Sequence, residues 1–209
     1  IAGVTVNSGT GNSIQSNSIF ANTGIGIDLG NNGATANDAG DADTGANNLQ
    51  NTPVLTTATA SAGSVTVVGT YNSTPSANFT LQFFANNPPG TQGQTFIASI
   101  PVTTDAAGNA AFNQTFPAAV TAGQLITATA IDATGNTSEF STQQVPVVVP
   151  LGSITGIKFN DADGNGTQAA GELGVSGVTV FLDTNDAGLR TSGEAQVTTG
   201  ANGSCNGPS

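Results

Sequence analysis

From Val54 to Val148, apolar and polar residues alternate with a period of two, in runs rich in Val, Ile, Thr and Phe. That is the signature of β-strands with one face buried. The runs are Val54–Ala60, Ser64–Tyr71, Phe79–Ala85, Thr95–Thr103, Ala110–Phe116, Gln124–Ile131 and Glu139–Val148. Between them stand SAGS, NSTPS, NNPPGTQG, DAAGN, TAG and DATGN, in which Gly, Pro, Asn and Asp supply turn geometry. Short strands joined in this way predict an antiparallel sandwich over residues 53–147, with Phe79, Phe83, Phe96, Phe112 and Phe116 as its core.

The pattern differs on either side. Residues 1–52 are poor in large side chains and rich in Asn, Gly and Ser. GVTV at 3–6 returns as GIGI at 24–27, and Asn7, Asn12, Asn17 and Asn22 recur between them. Such spacing suits stacked short strands whose corners are left-handed or bonded by side chains. It predicts a coil of a right-handed parallel β-helix, and since one coil cannot bury its own face, further coils are expected before Ile1. Beyond the sandwich, QVPVVVPLGS brackets an apolar run with Pro146 and Pro150 and predicts a stiff linker over 148–153.

The last stretch carries the sharpest chemistry. DADGNGTQAAGE (Asp161–Glu172) and DTNDAGLRTSGE (Asp183–Glu194) both place an acid at position 1, an oxygen side chain at 3, glycine at 6 and glutamate at 12. That order is the calcium-loop template, in which oxygens at 1, 3 and 5, a carbonyl at 7 and a bidentate Glu at 12 wrap one ion. The first loop offers Asp161, Asp163, Asn165, the Thr167 carbonyl and Glu172; the second offers Asp183, Asn185, the Leu189 carbonyl and Glu194. Ala187 stands at position 5 of the second, so fewer ligand charges and weaker binding are expected there unless Asp186 or water substitutes. The flanking SITGIKFN and LGVSGVTVFL read as strands, so the ions are expected to stiffen a β-module rather than to open a helix pair.

Charge sharpens this picture. The chain has 13 acids, 2 bases and no histidine, for a net charge of −11. Neither Lys158 nor Arg190 belongs to a basic patch, which disfavours nucleic acid and anionic membrane as partners. The absence of histidine excludes a Ser–His–Asp type of triad. Cys205 stands alone, so no intrachain disulfide can form. Neither a membrane-spanning run nor a leader peptide is present, and the chain opens in mid-pattern, as expected of a fragment.

Two resemblances extend the reading. Gly26–Gly30, Asn37–Gly45 and Leu49–Leu55 resemble a segment that ends β-helix repeats in large bacterial surface proteins. Its Asp38, Asp41 and Asp43 can either share a cation or form Asx-turns that cap the helix end. Residues 154–209 resemble the B-type (collagen-adhesin B-like) repeat of serine–aspartate-repeat bacterial surface adhesins. The likeness rests on Gly156, Phe159, Asp161, Gly164, Asn165, Gly166, Gly171, Glu172, Gly174, Gly177, Val178, Val180, Leu182, Asp183, Asn185, Gly188 and Glu194. It implies a calcium-stiffened β-sandwich in a rod-like cell-surface stalk. The tail GANGSCNGPS departs from it by lacking the closing aromatic strand, with Cys205 near the expected Tyr, so an incomplete copy is expected.

The expected fold is therefore all-β. The end of a right-handed parallel β-helix (1–52) precedes an immunoglobulin-like β-sandwich (53–147), the linker, and a truncated calcium-loop β-sandwich (154–209). The expected role is a non-catalytic, calcium-binding, adhesive or structural segment of a secreted or surface-anchored bacterial protein. Its expected partners are calcium ions and a host or matrix protein or glycan. The alternative is the accessory region of a β-helix polysaccharide lyase or hydrolase whose active site lies upstream.

Overall fold

The structure, a computed structural model, describes the chain apart from residues 62, 143, 149–153, 184–185 and 208–209. The expected linker lies almost wholly outside the described residues, as does Asn185. The chain is all-β, with one short 3-10 turn at Ala46–Leu49 among the described residues. It divides into two compact units, Ile1–Pro150 and Leu151–Ser209.

The first unit begins with two short strands, β1 (Val4–Val6) and β2 (Ile27–Leu29), paired in parallel with Val4 opposite Ile27. The paired strand thus begins at Ile27, the last residue of GIGI, rather than coinciding with it. The left-handed corners expected at the asparagines fall instead on Gly9, Gly11, Ser16 and Ala21. Asn12 and Asn22 contribute by side-chain bonds, to Asn47 Oδ1 at 3.0 Å and Gln92 Oε1 at 2.8 Å.

Seven strands follow: β3 (Val54–Ser61), β4 (Ser64–Asn72), β5 (Asn78–Asn86), β6 (Thr95–Thr103), β7 (Asn109–Pro117), β8 (Leu125–Asp132) and β9 (Val145–Val148). They form one sheet in the order β6-β5-β8-β9-β3-β4-β7. Its edge strands β6 and β7 approach each other, so the sheet nearly closes. Closure turns one face inward, and Leu55, Val65, Val67, Leu81, Phe83, Ile126 and Val147 pack there with almost no exposed surface. Phe83 on β5 meets Phe112 and Phe116 on β7 at ring-centroid distances of 5.6 and 5.2 Å.

Two expectations are corrected. Phe96 is not in this core: it is 37 % exposed and lies opposite Phe84, whose side chain points to the outer face. Adjacent residues of a strand face opposite sides, so with Phe83 inward, Phe84 and its partner must point out. The strand expected from Glu139 starts only at Val145. Ahead of it, Ser138 and Ser141 accept the Ala130 and Ala128 amides of β8 through their hydroxyls, at 2.9 and 3.1 Å. Side-chain oxygens here replace the carbonyls that a regular ladder would use.

Residues 1–52 cover the outer face of β5 and β8. Val6, Ile19, Ile27, Leu29 and Ala46 form a second apolar cluster with Phe84 and Phe140. Gly26 and Gly93 sit so close to the Phe140 ring that a Cβ on either would lie within 2.6 Å of it, which explains the absence of side chains there. Polar side chains complete the seam: fully buried Asn47 accepts the Asn12 amide at 2.9 Å and donates to the Thr137 carbonyl at 3.0 Å. Gln92 donates to the Asn22 and Gly24 carbonyls, and Ile19 and Gly93 exchange amide bonds of 2.7 Å. The short strands of residues 1–52 are therefore held by polar partners that the loops beside β5 and β8 supply.

The second unit contains β10 (Ile154–Ile157) paired antiparallel with β13 (Ser204–Gly207), and β11 (Thr179–Phe181) paired antiparallel with β12 (Gln196–Thr198). The tail expected to lack a closing strand provides β13, with Cys205 opposite Gly156 and its thiol 3.5 Å from the Gly156 carbonyl. A small buried thiol stands where an aromatic was expected.

Candidate metal centres

Each twelve-residue loop closes a β-hairpin at the same relative positions. Phe159 bridges Gly174 and the Asn160 amide donates to Leu173 O around the first loop. Phe181 pairs with Gln196 and the Leu182 amide donates to Ala195 O around the second. A hairpin base holds the two ends of an oxygen-rich loop together without helices.

Inside the first loop, Asp161 Oδ1 accepts the Gly164 and Asn165 amides at 2.7 and 3.2 Å, and its Oδ2 accepts Gly166 at 2.8 Å. Asn165 donates its amide and side-chain NH2 to Asp163 at 3.1 and 2.7 Å, and the Thr167 amide meets Asn165 Oδ1 at 2.6 Å. Glu172 reaches back to accept Ala162 and Ala169, both at 2.8 Å. These amides hold both carboxyls below their ordinary range: the Gly166 bond leads for Asp161 and the Ala169 bond for Glu172. One oxygen each from Asp161, Asp163 and Glu172 lies within 4.8 Å of the others.

The second loop repeats the frame. Asp183 accepts the Ala187 and Gly188 amides at 3.2 and 2.8 Å, and Glu194 Oε2 accepts Thr191 at 2.7 Å. Positive φ angles recur at the same steps: Gly164 and Asp186 at 74° and 55°, Gly166 and Gly188 at 76° and 68°, Gly171 and Gly193 at 99° and 96°. Aspartate is among the few side-chain-bearing residues that tolerate this region. Leu189 is 76 % exposed.

The acids of the first unit form a different arrangement. Asp38, Asp41 and Asp43, each half-buried, also bring one oxygen apiece within 4.8 Å of one another. Asp41 accepts the Asn51 amide at 2.9 Å, the Ser73 hydroxyl at 2.6 Å and the Gln50 side-chain amide. Burial raises the Asp41 pKa against the Ser73 and Asn51 bonds, and the charges of Asp43 and Asp38 add to the rise. Asp43 is raised by burial and then by the charge of Asp38. Among the described residues, this trio and the 161–172 trio are the groups of three or more side chains placed to share a metal. Oxygen-only donors of this kind suit a hard cation.

Glu139 went unassigned in the sequence, although an acid inside a run read as strand is itself a signal. It is buried, and its carboxylate accepts the Leu29 and Thr35 amides at 2.9 and 2.8 Å. Burial raises its pKa above the ordinary 4.5, the two amides oppose, and the Asp28 charge adds to the rise. A raised folded-state pKa gives stability that is full below the unfolded value and fades as pH climbs through the folded one. Glu139, Asp41 and Asp43 share that direction, whereas Asp132 is lowered from 3.8 and acts only at stronger acidity. In chelator, the melting temperature of the first unit should therefore rise as the pH falls from neutral toward the ordinary carboxylate range. A flat or falling profile across that window, followed by hydrogen exchange of residues 1–148, contradicts the assignment.

No protein-family model matches this chain, and no curated protein matches it.

Proposed function

We propose that this chain is a calcium-binding structural segment of a large extracellular bacterial protein, in which two ions stiffen a β-module that follows a β-helix end docked on an immunoglobulin-like sandwich. The observation that carries the proposal is the shared frame of the two loops. Hairpin closure, the acid at position 1 bonded to the amides at 5 and 6, the glutamate at 12 bonded to the amide at 9, and left-handed steps at 4, 6 and 11 coincide. Unrelated acidic turns have no physical reason to agree at so many steps.

Calcium sites of this chemistry in extracellular modules bind at about 0.1–1 mM, which suits an external medium and not a cytosol. The sandwich reading is supported by the parallel pairing of β3 with β9, which joins the first and last strands of the sheet, and by aromatic contacts across its interior. A non-catalytic role fits a chain with no histidine and only 2 basic residues. The partner that such a segment presents or spaces would be a host or matrix protein or glycan.

Limited proteolysis of the intact chain, read by mass spectrometry, tests the proposal. Cleavage within residues 159–196 should be slow in millimolar calcium and fast in chelator, with magnesium protecting far less. Equal cleavage in calcium and chelator overturns it.

A further inference from the structure

We propose that Asp38, Asp41 and Asp43 form a separate cation site of the calcium class, which pins the loop between β2 and β3 to the end of β4. The acids converge, but the stronger observation concerns what they lack. Asp38 Oδ1 and Asp43 Oδ1 are sealed from solvent and accept no hydrogen bond. A carboxylate oxygen removed from water without a donor carries its full desolvation cost, and neighbouring carboxylates add repulsion.

The unit has no side chain to relieve that cost. The only basic residues of the chain are Lys158 and Arg190, and both belong to Leu151–Ser209. The Ile1 ammonium donates to Thr23 Oγ1 at 2.8 Å. The first unit therefore offers these carboxylates no cationic side chain of its own, and oxygen-only donors suit a hard divalent ion.

The surroundings are organised to leave those two oxygens open. Asp41 is held by Asn51, Ser73 and Gln50; Gln50 also donates to Tyr71 Oη at 2.8 Å and Ser73 Oγ at 2.9 Å. The Gly40 amide meets Asn72 Oδ1 at 2.8 Å, and Asn51 donates to the Asp38 and Asn72 carbonyls at 2.7 and 3.0 Å. An ion here would complete a clamp between the loop and β4 that hydrogen bonds have already shaped. The site is independent of the two hairpin loops, so neither stands or falls with the other.

The chain supplies its own reporter. Tyr71 is its single tyrosine and there is no tryptophan, and the Tyr71 hydroxyl shares the Gln50 amide with Asp41. Terbium, an oxygen-seeking stand-in for calcium, should give saturable tyrosine-sensitised emission on the intact chain, and calcium should displace it. Asp43→Asn should lose most of that emission, while Glu172→Ala should keep it. Because Asp43 Oδ1 accepts no bond, Asp43→Asn should melt no lower than the parent in chelator while losing part of the calcium-induced rise. A buttress of purely structural role would show the reverse. Absence of sensitised emission from the parent chain overturns the site whatever the variants do, and so does emission equal in the parent, Asp43→Asn and Asp38→Asn.

Discussion

Glu172→Ala should strip the second unit of much of its calcium-dependent order. With calcium at a hundredfold excess over its dissociation constant, occupancy of one site raises the melting temperature of so small a unit by roughly 10–20 °C. The expectation is large because this unit has little else to hold it. Among its described residues Cys205 is the only buried apolar side chain, whereas Leu173 and Leu189 are 77 % and 76 % exposed. A module with so thin a core would gain much of its order from a bound ion, as small domains commonly do. The variant removes the proposed closing ligand and the acceptor of the Ala162 and Ala169 amides together. Hydrogen exchange of residues 154–207 in calcium should resemble that of the chelated parent around the first loop. Unchanged protection in calcium contradicts the role given to Glu172.

Phe83→Ala should cost the first unit about 3–5 kcal/mol. Phe83 is fully buried on β5 and reaches across the nearly closed sheet to Phe112 and Phe116. Its removal leaves a cavity where the two halves of the sheet meet, and the stiff strands around it cannot collapse to fill it. Denaturant unfolding should show a lower midpoint with an unchanged slope, in calcium and in chelator alike. Phe96→Ala, at the rim of the outer face, should cost much less. Similar losses for the two would place the core elsewhere.

The contrast between these phenylalanines shows what could be read from the sequence. Strand positions were legible because alternation and turn residues are local, and β3 to β8 begin and end close to where the pattern places them. Facing was legible for Phe79, Phe83, Phe112 and Phe116. It failed for Phe96, whose side depends on a register shift between Phe83 and Phe84 opposite β6. The loop turns were legible because the spacing of acids and glycines is also local, and Gly166 and Gly188 stand where a sharp turn demands them.

The seam between residues 1–52 and the sheet was not legible. It depends on Asn47, Gln92 and Glu139 meeting backbone groups that lie far away in the chain, and no periodicity encodes such pairings. Phe84, an aromatic adjacent to inward-facing Phe83 and so on the outer face of β5, was the available hint that something covers that face. The open oxygens of Asp38 and Asp43 likewise appear only once the chain is folded.

The most direct test of the calcium account is a calorimetric titration of the intact chain beside Glu172→Ala and Glu194→Ala. Each variant should lose one binding event and keep the rest. The event lost in Glu194→Ala should be the weaker, because position 5 of its loop is Ala187 where the first loop has Asn165. Isotherms that coincide for all three proteins contradict calcium binding by the hairpin loops.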